Sequence, residues 1–219
     1  MKTIQVFLGG LCVCLITMSM ASAQRSTTVS NFVGGIRIGG TATQISGDDL
    51  SGFHKLGAYT GLYAAFPLND NENLKIQVEM NFAMKGSRDF TPPKQPANIS
   101  SKYVLNLGYV EVPVLLRWRF ARLTIRGSND FEFELGPMFG VNIYARERDR
   151  YGIIQGRPEF TRFEFSVIGG LAYMLNEHHG FSFRYANSVW KVRKPNWAIN
   201  RAIKMQYNSV LMLSYFYQF

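Results

Sequence analysis

From Leu74 to Lys85 apolar and polar residues alternate. Leu74, Ile76, Val78, Met80, Phe82 and Met84 hold one parity, and Lys75, Gln77, Glu79, Asn81 and Lys85 hold the other. Successive side chains of a strand point to opposite faces, so the segment predicts a strand with one apolar and one polar face. Its twelve residues exceed the about five or six of an ordinary soluble strand. They suit a tilted strand crossing a bilayer, which needs about nine to eleven.

The pattern recurs along the chain. Phe131, Phe133, Leu135, Phe139, Val141 and Ile143 oppose Glu132, Glu134 and Asn142. Phe163, Phe165, Val167, Leu171 and Tyr173 oppose Arg162, Glu164 and Ser166, and Phe181, Phe183 and Tyr185 oppose Ser182 and Arg184. Val110, Val112, Val114, Leu116, Trp118 and Phe120 oppose Glu111, Arg117 and Arg119, whereas Tyr103, Leu105, Leu107 and Tyr109 just upstream hold the other parity. That change of phase predicts a β-bulge near Tyr109 and Val110. Two Gly- and Ala-rich segments, about 31–44 and 54–66, complete the front of the chain, with their facing ambiguous. The last segment carries Leu211, Leu213, Tyr215, Tyr217 and Phe219 on one parity, opposed by Gln206, Asn208, Ser214 and Gln218. The total is eight strands.

The connections alternate in length. Residues 67–73, 121–129 and 176–180 are short and polar, while about 45–53, 88–101, 148–159 and 193–202 are long. An even strand count with short turns at one end and long loops at the other predicts an all-β, eight-stranded antiparallel transmembrane up-and-down β-barrel. The short turns and both termini would then face the periplasm. Parity alone does not separate this from a soluble β-barrel that holds a small ligand, because only the direction of the apolar face differs. Three features favour lipid. Opposite charges that can pair inside share the polar parity: Lys75, Glu79, Glu111, Arg117, Arg119, Glu132, Glu134, Arg162, Glu164 and Arg184. Aromatics gather near strand ends, as in interfacial girdles. Hydrocarbon also offers no partner to an open sheet edge, so the last strand must pair with the first.

The N-terminus supports export. Lys2 precedes the apolar run from Ile4 to Met20, and Ala21-Ser22-Ala23 supplies a small-x-small pattern. These are the parts of a signal peptide, residues 1–23, cleaved before Gln24 and leaving 24–219 as the barrel domain. Both cysteines, Cys12 and Cys14, lie in this leader, so the exported chain has no thiol for a disulfide, a metal or a nucleophile. The charge of +9 speaks of partners rather than fold. An exported chain points to an anionic membrane surface, not to nucleic acid.

The terminal stripe Leu211, Leu213, Tyr215, Tyr217 and Phe219 resembles the signal read by the outer-membrane barrel assembly machinery. GIRIGG, then TQISGDDLSGFHKLGAYTGLYAAFPL, and later LNLGYVEVPVLLRWRF resemble the PorT-like "porin family" barrels of Bacteroidetes over roughly residues 31–219. The resemblance implies a Gly-rich first strand, a Ser-Gly-rich first loop and a fourth strand carrying Tyr109 to Arg119. It implies fold and location, with no agreed activity, although one class of members serves in protein secretion.

Candidate chemistry is sparse. Ser46, Asp48, Asp49, Ser51 and His54 could form an acyl-transfer set, or could simply be a turn; a lipid-modifying barrel enzyme is the alternative reading. Glu177, His178 and His179 form a solvated turn more readily than a metal site. No catalytic residue, metal or cofactor is assigned. An eight-stranded interior is just wide enough for side chains, so the inward charges predict a filled lumen rather than a pore. A basic group at the long-loop end, Arg146, Arg148, Arg150, Lys191 and Arg193, is a candidate for lipopolysaccharide phosphates, whose oxygens match guanidinium forks.

Overall fold

The computed structural model describes residues 32–47, 52–89, 103–123, 129–149, 151–154, 160–193 and 206–219. Eight long strands follow one another: β1 Val33–Ser46, β2 Lys55–Pro67, β3 Leu74–Arg88, β4 Val104–Leu123, β5 Asn129–Asp149, β7 Phe163–Met174, β8 His179–Ser188 and β9 Tyr207–Gln218. A two-residue strand, β6 Gly152–Ile153, adds a short ribbon to the far end of β5. Each long strand pairs antiparallel with the next, and β9 returns to β1 from Gly35 opposite Gln218 to Ser46 opposite Tyr207. The eight long strands therefore form a closed antiparallel barrel. Closure removes every open edge of the ring, which is what hydrocarbon demands of a spanning sheet.

The apolar parity faces out. Ile38 is 64% exposed and Leu213 is 62% exposed, whereas Arg184 and Glu134 are fully buried. The direction of the apolar face, open in the sequence, is thus the membrane one. Aromatics ring the end that carries the short turns. Phe32 lies 5.0 Å from Phe66, Phe131 4.7 Å from Tyr173, Phe181 5.5 Å from Tyr215 and Tyr217 5.8 Å from Phe219, centroid to centroid. Trp118, Phe120 and Phe131 continue the ring. A second aromatic group, Phe139, Phe165 and Trp190, sits toward the long-loop end, with spacings of 5.0 and 5.4 Å.

One expectation is corrected. The strand β4 keeps a single phase: Leu105, Leu107 and Tyr109 are buried in the interior on the same parity as Glu111 and Arg117. The irregularity near Tyr109 is real but belongs to the partner strand. Tyr109 pairs with Asn142 and Gly108 with Tyr144, so Ile143 of β5 is the extra residue. Beyond it the facing of β5 reverses, and Glu147 turns inward while Arg146 and Arg148 are exposed. A second irregularity between Arg119 and Ala121 leaves Phe120 unpaired in the β4–β5 ladder.

Apolar clusters divide the interior along its axis. Tyr63, Ala172, Met174 and Phe216 lie nearest the short turns. Tyr59, Ala83, Leu115, Met138, Ile168, Ala186, Val210 and Met212 fill the middle. Ile45, Leu105, Leu107 and Tyr109, with Tyr103 and Phe160 packed on them, fill the long-loop end. Large rings fit because glycines lie beneath them. A Cβ on Gly35 would enter the Tyr63 ring, and one on Gly180 would enter the Phe216 ring.

Candidate functional site

The lumen holds two ionic groups. The larger draws on seven strands. Arg184 of β8 donates from Nη1 to Glu79 Oε2 at 2.9 Å and from Nη2 to Glu79 Oε1 at 2.8 Å, while its Nε donates to Glu134 Oε2. Arg37 of β1 approaches Glu79 at 3.3 Å and donates to Ser182 Oγ at 2.7 Å and Ser214 Oγ at 3.2 Å. Arg117 of β4 meets Glu132, lies 3.3 Å from Glu134, and donates to Gln77. Asn81 Nδ2 adds donations of 2.7 Å to Glu79 and 2.8 Å to the Tyr59 hydroxyl. The Phe216 ring lies beneath this layer, 5.4 Å from the guanidinium carbons of both Arg37 and Arg117. Three guanidinium groups thus face three carboxylates, all buried. Charges removed from water persist only when paired, and here each guanidinium group meets at least one carboxylate across the bore.

The smaller group lies nearer the long loops. Lys85 Nζ sits 2.6 Å from Glu111 Oε1 and 2.6 Å from Glu164 Oε1. Ser166 Oγ and Asn208 Nδ2 donate to Glu164 at 2.7 and 2.6 Å. At the mouth, Arg193 pairs with Glu147, the Tyr103 hydroxyl donates to Glu147 at 3.3 Å, and the Phe160 ring lies 4.4 Å from the Arg193 guanidinium.

Of the ten charges expected inside, Glu79, Glu111, Arg117, Glu132, Glu134, Glu164 and Arg184 are buried and meet in these groups. Lys75 is half-buried near the short-turn end. Arg119 is turned to that same end, donating to Asp130 at 3.0 Å and to the Asn71 carbonyl at 2.8 Å. Arg162 departs from the expectation: it occupies a bend just before β7, where the residue-by-residue register with β5 ends, and is exposed. Lys85, which shares the polar parity of Glu79, and Arg37 are buried lumen charges outside the ten expected. Arg37 was hidden by its glycine neighbours Gly34, Gly35, Gly39 and Gly40. The signal was present, since Arg37 is the one charged residue in that strand.

The basic rim separates into two kinds of residue. Arg146, Arg148 and Lys191 are exposed. Arg193 is not a rim residue: it is buried and engaged by Glu147. Arg150 lies outside the described residues. Asp48, Asp49 and Ser51 of the acyl-transfer set do so as well, and only its Ser46 and His54 are described. The terminal stripe lies on the outer face, with Leu213 and Phe219 exposed and Leu211, Tyr215 and Tyr217 partly covered by neighbours. Among the described residues no group of three or more His, Cys, Asp or Glu side chains is placed to hold a metal ion.

Two solved structures are similar to this chain at 13% sequence identity. Ail, the attachment invasion locus protein of Yersinia pestis, in complex with the heparin analogue sucrose octasulfate, has a TM-score of 0.47 over 86% of this chain and 99% of that one. Neisserial surface protein A has a TM-score of 0.45 over 87% and 98%. No curated protein matches the sequence. The family model described as outer membrane protein beta-barrel domain matches residues 22–192. With a closed eight-stranded ring, an outward apolar face and a buried ionic interior, the chain belongs to the outer membrane protein beta-barrel domain family.

Proposed function

We propose that this outer-membrane barrel acts through its external end and not through its lumen. The observation that supports this reading is the buried network of Arg37, Arg117, Arg184, Glu79, Glu132 and Glu134. It crosses the bore with side chains, and the apolar clusters on either side leave the path blocked. An ion entering would have to break paired, buried charges, at a cost of several kcal/mol per charge. The barrel is a structural or binding element, without catalysis. The test is conductance in planar bilayers, where the folded protein is expected to stay silent. A stable large conductance would refute the sealed lumen.

In this reading the exposed Arg146, Arg148 and Lys191 contact lipopolysaccharide phosphates at the outer leaflet. Arg146 and Arg148 are placed by the extension of β5 past its bulge, where Arg148 pairs with Ile153 in the β5–β6 ribbon. Guanidinium forks match phosphate oxygens. The exposed Trp190 beside Lys191 is the residue type enriched at the membrane–water boundary. Replacing all three cations by alanine is expected to reduce co-purified lipopolysaccharide while leaving the folded yield unchanged. Undiminished lipopolysaccharide would end this assignment.

The narrower kinship also belongs to this proposal. A PorT-like barrel of Bacteroidetes is supported by the Gly-rich β1 and by Tyr109 to Arg119 falling wholly within β4. Export through cleavage before Gln24 and insertion by the barrel assembly machinery through Leu211, Leu213, Tyr215, Tyr217 and Phe219 complete it. Mass spectrometry of the envelope-derived protein tests the cleavage site.

A further inference from the structure

Lys85, Glu111 and Glu164 bring one positive group against two carboxylates, and their side chains are no more than 2% exposed. The charges do not balance locally. The three arginines of the larger network are already matched by Glu79, Glu132 and Glu134, and Arg193 is matched by Glu147 at the mouth. A net charge on side chains this deeply buried costs several kcal/mol, and a carboxylate that lacks donors escapes the cost by taking up a proton.

The two carboxylates are not equivalent. Glu164 receives Lys85 and Ser166 on Oε1 and Asn208 on Oε2, so both its oxygens are engaged. Glu111 meets Lys85 through Oε1 alone, and no donor among the described residues reaches its Oε2. Its other neighbours give no compensation. The Tyr109 ring lies 4.7 Å from Lys85 Nζ, and the Tyr109 hydroxyl accepts from Asn208 Nδ2 at 3.4 Å. Across the ladder from Glu111 stands Asn81, whose amide donates to Glu79 and Tyr59. Glu79, two residues along β3, is a further negative charge held by Arg184 and Arg37.

We propose that Glu111 is a buried proton-binding site: in the folded barrel at neutral pH it is a neutral carboxylic acid beside a Lys85–Glu164 ion pair. The proton comes from water as the barrel forms and bonds to Oε2. Oε1 remains free to accept from the Lys85 ammonium. No other bond changes. Each ionic layer of the lumen is then electrically neutral by itself, three against three in one and one against one in the other.

Infrared spectroscopy of the folded full chain in a carbonyl-free detergent at neutral pH tests this. The wild type is expected to show the carbonyl-stretch band of a protonated carboxyl group, separate from the carboxylate bands. Glu111→Gln is expected to lose that band and keep the barrel folded, since a neutral amide replaces a neutral acid of the same shape. If Glu111→Gln does not insert, Glu111→Leu serves for the same assignment. A wild type without the band, or a band that survives both substitutions, overturns the proposal.

Discussion

Arg184 reaches across the barrel and clasps both carboxylate oxygens of Glu79 on the opposite wall, at 2.9 and 2.8 Å. Three strands separate β8 from β3 in either direction around the ring, so this fork is a strut through the bore. Its Nε also holds Glu134. Arg184→Met therefore strands two buried acids. A loss of about 3–5 kcal/mol is expected, as for removal of one partner from a buried pair. Adding Glu134→Gln leaves Arg37 and Arg117 against Glu79 and Glu132, a balanced set. The double variant is expected to regain most of the loss. Chemical denaturation in lipid vesicles measures both, and equal stabilities for the single and double variants would count against charge balance as the governing term.

A second prediction concerns the outer face. Leu213 lies on the lipid side of β9, opposite Gly40 on β1 and Phe183 on β8. It is 62% exposed. On a soluble protein, Leu213→Arg at such a position would change stability by about 0.5 kcal/mol or less. In a bilayer the same change near the midplane costs about 2–4 kcal/mol. The larger value is expected in vesicles, and a neutral effect there would mean that this face does not meet hydrocarbon.

The ring beneath the larger network gives a third. Phe216 supports Arg37 and Arg117 from below and meets Tyr63 edge-on, with centroids 6.1 Å apart. A side chain at Gly180 would occupy the volume of that ring. Gly180→Val is expected to cost about 1–3 kcal/mol through overpacking. At the outward Gly40, a Cβ meets nothing closer than the Gly57 carbonyl oxygen at 3.6 Å, so Gly40→Ala is expected to be nearly silent. Comparing the denaturation midpoints of these two variants separates ring displacement from a general intolerance of glycine replacement.

These cases show why some of the molecule was readable from its sequence. Alternation in β3, β5, β7 and β9 fixes which residues oppose which, and closure in lipid follows from hydrogen bonding alone. The change of phase expected in β4 does not occur, because Leu105, Leu107 and Tyr109 are apolar residues pointing inward. They plug the lumen, whereas simple alternation expects polar residues there. The bulge lies beside the expected residue but on β5, since the sequence of β4 does not reveal a residue inserted in its partner. Arg193 looked like part of an exposed basic run. Its burial depends on Glu147, which faces inward only because Ile143 shifts the facing of β5. Pairings across the bore, such as Arg184 with Glu79, need the diameter and register of the closed ring and leave no trace in local pattern.

The consequence for Arg193 can be measured. Arg193→Ala removes the cation that pairs with Glu147 beneath the Phe160 ring. It is expected to destabilise the barrel by about 1–3 kcal/mol, the penalty for weakening the hydrogen bonding of a buried acceptor. Lipopolysaccharide co-purification is expected to stay at the wild-type level, unlike that of the Arg146, Arg148 and Lys191 variant. A large loss of lipopolysaccharide on Arg193→Ala alone would return this residue to the phosphate-binding rim.

Phe219 separates assembly from stability. Its backbone N–H donates to the Gly34 carbonyl at 2.9 Å, helping to seal β9 against β1, while its ring is 71% exposed and touches Tyr217 at 5.8 Å between centroids. Phe219→Ala keeps the backbone seal and removes only an exposed ring. Little loss of stability is expected once the barrel is folded in vesicles, within about 0.5 kcal/mol. If the terminal ring is instead read by the assembly machinery, the same variant accumulates outside the membrane in cells despite its intact fold. A variant that inserts normally in cells removes Phe219 from the signal. One that unfolds in vesicles shows the ring to be a structural clasp, and the defect in cells would then follow from stability alone.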